Sequence, residues 1–122
     1  MGDLSTHFNR SEFACKCGCG ADHVSMELVT RLERLRSFLR IPIVIRSGVR
    51  CRTYNAKVGG KPDSAHITGE AADIACSASK TRYLMKRWIY VWALFSRIGT
   101  GKDYLHLDVS VALPLEVEWT YY

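Results

Sequence analysis

Ser64-Ala65-His66-Ile67-Thr68-Gly69-Glu70-Ala71-Ala72-Asp73 places a histidine in a polar loop, a glycine where the chain must turn, and an aspartate on the run that continues to Ala75. Ala71 to Ala75 reads as a strand, and Gly69 permits the sharp turn that leads into it. Upstream, the loop Lys61-Pro62-Asp63 follows a short helix from about Arg52 to Lys57, which Gly59-Gly60 stops. Earlier still, Ile41-Pro42-Ile43-Val44-Ile45 is short and rich in β-branched residues and ends at Ser47-Gly48, which predicts a buried strand followed by a turn. Leu28, Leu32, Leu35 and Leu39 recur at spacings of three and four between Ser25 and Arg40. With Ser25 able to cap and Glu27 in the first turn, this is a helix whose leucine stripe belongs to the core.

Downstream, Ser79 to Ser96 reads as a second long helix carrying Tyr83, Trp88, Val91, Trp92 and Phe95. Tyr104 to Val109 and Val117 to Tyr121 complete the expected strands. Residues 1–24 form an irregular N-terminal segment, anchored by Phe8 and Phe13, with a tight turn at Cys15-Lys16-Cys17-Gly18-Cys19-Gly20. Helices and strands interleave without a regular β-α-β rhythm. The expected fold class is therefore α+β: a small, largely antiparallel sheet flanked by helices, in one domain spanning residues 1–122.

Composition narrows the function classes. A hydrophobic fraction of 48% and a charged fraction of 24% suit a globular chain. The longest apolar candidate, Trp88 to Phe95, falls well short of the ~20 residues of a membrane span, so no membrane insertion is expected. The first residues, Met1 to His7, show neither a basic start nor an apolar block, so no secretory signal is expected and the chain would be made in the cytoplasm. A formal charge of +5 favours an anionic partner. The basic residues are dispersed over Arg31 to Arg40, Arg46 to Arg52 and Lys80 to Arg87, which reads as a solvated surface and not as a nucleic-acid arm.

The residues that carry chemistry are His66, Asp73 and, on a later strand, His106. Two imidazoles and a carboxylate are donors that zinc accepts, and three protein ligands leave a fourth tetrahedral position for water. Taken alone, a histidine and an aspartate seven residues apart usually mark a solvated surface.

The pattern S-x-H-x-x-G-x-A-x-D, carried by Ser64, His66, Gly69, Ala71 and Asp73 and followed by His106-x-Asp108, resembles the signature of the zinc D-Ala-D-Ala carboxypeptidase family. That family includes the VanX and VanY enzymes, phage endolysins that cut L-Ala-D-Glu bonds, and the distant hedgehog signalling domain. Further stretches resemble its small single-domain branch: Leu4-Ser5-x-x-Phe8, Phe13-x-Cys15-x-Cys17-Gly18-Cys19, Ser47-Gly48-Val49-Arg50-Cys51 and Tyr54-Asn55-x-x-Val58-Gly59-Gly60.

The resemblance implies a hedgehog/DD-peptidase-like fold, one zinc ion per chain held by His66, Asp73 and His106, and hydrolysis of an amide bond in the peptide stem of peptidoglycan. Arg50 matches the family arginine that grips a substrate carboxylate, a task suited to its guanidinium fork. Ser64 would bind substrate or brace the loop. Asp103, three residues before His106, stands where the family has its general base, with Asp108 as the rival for that role or as the partner that orients an imidazole. Strand alternation sets Asp103 and His106 on opposite faces unless the chain bends between them. By the same resemblance the protein would be a monomer that reaches the cell wall after release, as in phage lysis. The alternative is a zinc-containing binding module of the same fold without catalysis.

Five cysteines make an odd count, so at least one is unpaired within the chain. Cys15, Cys17 and Cys19 could hold a second metal or bond to Cys51, but a one-residue gap is not the usual spacing of a zinc knuckle. Small buried apolar thiols are the expectation. The aromatic end, Trp119 to Tyr122, reads as core or sheet edge, part of which could line a groove.

Overall fold

The computed structural model describes residues 2–122. After a 3-10 turn at Arg10–Phe13, its elements are α1 (Met26–Leu39), β1 (Ile45–Ser47), α2 (Arg52–Lys57), β2 (Ala71–Ala75), α3 (Ser79–Val91), β3 (Arg97–Thr100), β4 (Tyr104–Asp108) and β5 (Val117–Thr120). The strands form one five-stranded sheet in the order β1-β2-β4-β3-β5. All pairings are antiparallel except β3 with β5, which is parallel. The fold is α+β with a largely antiparallel sheet.

Strand alternation divides the sheet into a core face and a site face. Ala72 and Ile74 of β2 and Leu105 and Leu107 of β4 are buried in the cluster that includes Leu28, Leu32 and Leu35 of α1 and Met85 and Ile89 of α3. Asp73 and His106, the residues between them, pair directly across the β2–β4 ladder and so stand side by side on the other face. Phe8 and Phe13 join the same core and fasten the N-terminal segment to it. At that segment's contact with the turn after β1, Val49 donates its backbone N–H to the Phe13 carbonyl at 2.8 Å. A Cβ on Gly48 would meet the Phe13 backbone at 2.7 Å, so this close approach requires glycine.

The helices start and stop for local reasons. Ser25 caps α1 by accepting the N–H of Leu28, and Arg40 ends it in the left-handed region at φ 61°. Cys51 caps α2 in the same way, its sulfur accepting the N–H of Tyr54. Arg31 reaches from α1 to the carbonyl of Leu94, and Phe38 stacks on Trp88 and Trp92, with centroids 5.0 and 5.2 Å away.

Two sequence expectations shift, and one strand was not expected. The predicted strand at Ile41–Ile45 begins only at Ile45, and Ile41 and Val44 are exposed. Pro42 has no N–H for a ladder, and Ile45, Arg46 and Ser47 carry the strand instead. The predicted helix through Ser96 ends at Val91, because Ala93 takes a positive φ of 47° and the chain turns into β3. β3 itself, Arg97-Ile98-Gly99-Thr100, is not apparent from its sequence: one apolar residue and a central glycine give no alternating signal.

Candidate metal centre

His66 precedes Gly69, which turns the chain into β2 at φ 80° and whose missing Cβ would collide with the His23 carbonyl at 2.1 Å. The loop is tied down on several sides. Ser64 Oγ accepts the backbone N–H of His66 at 3.2 Å, His23 Nε2 meets the Ile67 carbonyl at 2.9 Å, and the Arg50 N–H donates to the His66 carbonyl at 3.0 Å. The imidazole is buried against the sheet, with Nδ1 on the Gly48 carbonyl at 2.7 Å and Nε2 3.2 Å from Asp73 Oδ1. His106 presents Nδ1 to the same oxygen at 3.1 Å, and its Nε2 meets Asp108 Oδ2 at 2.7 Å.

His66, Asp73 and His106 thus bring one donor atom each to within 4.8 Å of the others, and all three residues are buried. The donor set fits a zinc-type ion: two imidazole nitrogens and one carboxylate oxygen, each histidine having its second nitrogen engaged by an acceptor that sets the tautomer and orients the ring. For His66 that acceptor is a backbone carbonyl, and for His106 it is a carboxylate.

The centre lies in a cleft of about 780 Å³ whose walls include Arg50, Ser64, Tyr104, Trp119 and Tyr121. Trp119 comes from β5 and lies with its ring centroid 5.4 Å from that of His106. It fits there because residue 99, opposite His106 in the ladder, is glycine, and a Cβ would meet the Trp119 indole at 2.6 Å. Burial and the neighbouring charge of Asp73 push the Tyr121 phenol up to about 12. It is therefore a neutral donor in the cleft at ordinary pH.

Arg50 stands beside this group. Its guanidinium donates to Ser47 Oγ at 3.2 Å, Asn55 Oδ1 at 3.3 Å and Asp73 Oδ2 at 3.3 Å. Gly60 makes room for it, since a Cβ there would strike Asn55 Oδ1 at 2.1 Å. Burial alone would raise the Asp73 carboxyl, but hydrogen bonds from His106 and His66 hold it well below the usual carboxylate range. Burial likewise works against an imidazolium at His106, yet its bonds to Asp108 and Asp73 raise it.

Two acidic residues singled out in the sequence go to different places. Asp108 is fully buried, bonded to His106 and held by Arg97 Nε at 2.9 and 3.1 Å. It occupies the position of an imidazole-orienting partner. Asp103 is not brought to the cleft: it precedes β4, is about half-exposed, and its Oδ2 pairs with Arg46 at 3.1 Å. The alternation between Asp103 and His106 is the reason, since the chain does not bend enough to reverse it.

The cysteines also differ from expectation. All five are free thiols, and Cys17 and Cys19 are exposed, so neither a disulfide to Cys51 nor a set of small buried thiols describes them. Arg97 carries no sequence signal for its role, and Asn55 and Gly48, though they stand in stretches that resemble the family, do not disclose theirs, because each acts through a neighbour that only the fold supplies.

Two imidazoles and a carboxylate at the floor of a cleft, next to a guanidinium, have the make-up of a hydrolytic metal centre. The sequence profile of the family described as Peptidase M15 matches residues 6–108, and the chain belongs to that family of metallopeptidases. No curated protein matches the chain.

Proposed function

We propose that this protein is a zinc peptidase that hydrolyses an amide bond in the peptide stem of peptidoglycan, either D-Ala-D-Ala or an L-to-D junction. The observation that carries this reading is the convergence of His66, Asp73 and His106 on one point of the cleft floor with Arg50 alongside. When bound there, zinc supplies a Lewis acid that polarises a carbonyl and acidifies water. The chain's own residues do the rest.

Arg50 holds the substrate carboxylate. Its partners Ser47 and Asn55 fix the fork while leaving it 15% exposed on the side of the cleft. The carboxylate would replace the long 3.3 Å contact to Asp73, freeing that oxygen. Trp119 and Tyr121 form an aromatic wall beside His106 along one side of the cleft. Asp108, locked by Arg97, keeps His106 Nε2 engaged and Nδ1 turned to the centre.

Asp103 is proposed as the group that takes the proton from water and returns it to the leaving amine. This requires the turn before β4 to carry the carboxylate round to the site face as well as its exposed pair with Arg46 to open; opening the ion pair alone costs about 0–1 kcal/mol. The proposal includes a monomer that acts at the wall after release, as in phage lysis; no helix among the described residues is long and apolar enough to cross a membrane.

The test is release of new amino groups from purified peptidoglycan, run beside a His66→Ala variant and a chelated sample. Loss in both controls supports the peptidase, and mass analysis of the fragments names the bond. A second reading, a zinc-containing binding module without catalysis, is favoured by one observation, the turn of Asp103 toward Arg46. No amino-group release from protein that carries zinc at His66 would select it.

A further inference from the structure

Outside the peptidase cleft, Cys15, Cys17, Cys19 and Cys51 place four sulfurs within 4.8 Å of one another. Cys15 Sγ lies 3.4 Å from Cys17 Sγ, and Cys17 Sγ lies 3.7 Å from Cys51 Sγ. In a tetrahedral zinc site with Zn–S bonds of ~2.3 Å, the sulfur–sulfur edges are ~3.8 Å. The four side chains therefore already approximate the corners of one coordination shell. Packing does not explain this arrangement, since Cys17 and Cys19 contribute exposed thiols and not core.

The local backbone is built to converge the sulfurs. Cys15, Cys17 and Cys19 stand on a tight turn at Lys16 and Cys17, and the turn, not strand alternation, brings their side chains together. Gly18 and Gly20 then curl the segment, with φ of 83° and 91°, values that favour glycine. The Gly18 N–H closes a turn on the Cys15 carbonyl at 3.2 Å, and the Cys15 N–H closes the loop on the Ala21 carbonyl at 2.8 Å. The fourth sulfur comes from Cys51 at the start of α2 and is brought there by the Phe13–Val49 contact described above.

Backbone N–H groups also point at the sulfurs. Cys51 N–H donates to Cys15 Sγ at 3.4 Å, Tyr54 N–H to Cys51 Sγ at 3.4 Å, and Ala21 N–H to Cys19 Sγ at 3.5 Å. Donors of this kind favour thiolate over thiol. Cys17 receives no such donor, and its neighbours Cys15 and Cys19 push its thiol up to about 12; four thiolates can stand this close only with a cation among them, and a tetrahedral all-sulfur set selects zinc or iron over calcium or magnesium.

We propose that Cys15, Cys17, Cys19 and Cys51 bind a second, structural zinc ion, separate from the peptidase centre. Four sulfur ligands close every tetrahedral position and leave none for water, so this ion does no chemistry. It clamps the N-terminal segment to the residue adjacent to Arg50. The clamp fixes the backbone from which the carboxylate-holding guanidinium projects.

The test is elemental analysis of the full chain, prepared reduced and zinc-replete, with cobalt substitution as a second readout. Two zinc ions per chain are expected in the unmodified protein, one in His66→Ala and one in Cys17→Ser/Cys19→Ser. The cobalt form should show an intense sulfur-to-metal charge-transfer band in the near ultraviolet that persists in His66→Ala and vanishes in the cysteine variant. A single zinc that is lost entirely with His66→Ala, or a cobalt spectrum of the unmodified protein without that band, overturns the proposal. So does a disulfide joining any two of the four cysteines in the zinc-replete protein. If the cysteine variant does not fold, the count and the cobalt spectrum of the unmodified chain and of His66→Ala still decide. The cysteine-bound ion is read without peptidoglycan, so its absence and the absence of peptidase activity remain distinguishable outcomes.

Discussion

The histidine–aspartate centre and the cysteine cluster gather their donors by opposite means. The first takes Asp73 and His106 from adjacent central strands in direct register, adds His66 from a loop tied down by Ser64 and His23, and buries all three. The second hangs three of its four sulfurs on one short glycine-containing loop and leaves Cys17 and Cys19 in solvent. A centre organised by a sheet exists before its ion arrives, and each ligand already has a second partner to aim it. A centre organised by a loop gains much of its order from the ion itself. The first arrangement suits chemistry, where geometry must survive turnover. The second suits a fastening.

The largest effect should come from His66→Ala. Removing a ligand from the sheet-based centre is expected to lower peptidoglycan hydrolysis by on the order of 10³-fold or more, with the fold retained by circular dichroism. Asp103→Asn comes next, with kcat falling by about 10²–10⁴-fold and zinc content unchanged. A kcat within a few-fold of the unmodified enzyme would remove Asp103 from proton transfer. Arg50→Lys keeps the charge but loses the fork, so kcat/KM should drop about 10–100-fold for substrates with a free carboxylate, matching the ~1.5–3 kcal/mol of a charged hydrogen bond. Substrates in which that carboxylate is amidated should show a much smaller change. Asp108→Asn should weaken zinc binding at the histidine centre by about 10–100-fold, measured by competition with a chelator, and leave the cysteine-bound ion untouched.

The smallest effect is a pH dependence. In the metal-free protein, the His106 imidazole is held above its ordinary value, burial being outweighed by its bonds to Asp108 and Asp73. A raised value in the folded state means that this contribution to stability is fully present below the unfolded value of ~6.5 and is lost as pH rises through the folded one. Chelated protein should therefore lose thermal stability over that rise, and His106→Asn should flatten the dependence. Zinc-loaded protein should run the other way, because ligation needs neutral imidazoles. An identical profile with and without zinc would mean that His106 is not a ligand.

Much of the site was legible in the chain, and particular residues show why. Ser64, His66, Gly69 and Asp73 lie within ten residues, so one loop, one turn and one strand carry them together, and local rules suffice. The α1 leucine stripe and the strands at Ala71–Ala75 and Tyr104–Asp108 were readable because their periodicity is regular. β3 was not, because Gly99 gives way to an indole from β5, a need that arises only when Trp119 arrives from a distant part of the chain. The cysteine spacing was misleading for the same reason. Cys15, Cys17 and Cys19 make an incomplete set until the core sets Cys51 against them.

By itself, the sequence determined the donor types, the helical stripes and the alternation that separates Asp73 and His106 from their apolar neighbours. Those depend on residue chemistry and on the two backbone periodicities, both local properties. Only the tertiary structure decided that Asp108 orients His106 under the grip of Arg97, that Asp103 pairs with Arg46, that Trp119 lines the cleft and that Cys51 completes a shell of sulfur. Each of these is a meeting between segments far apart in the chain, and such meetings follow from how the sheet is ordered and what the core holds together, not from any pattern within one segment.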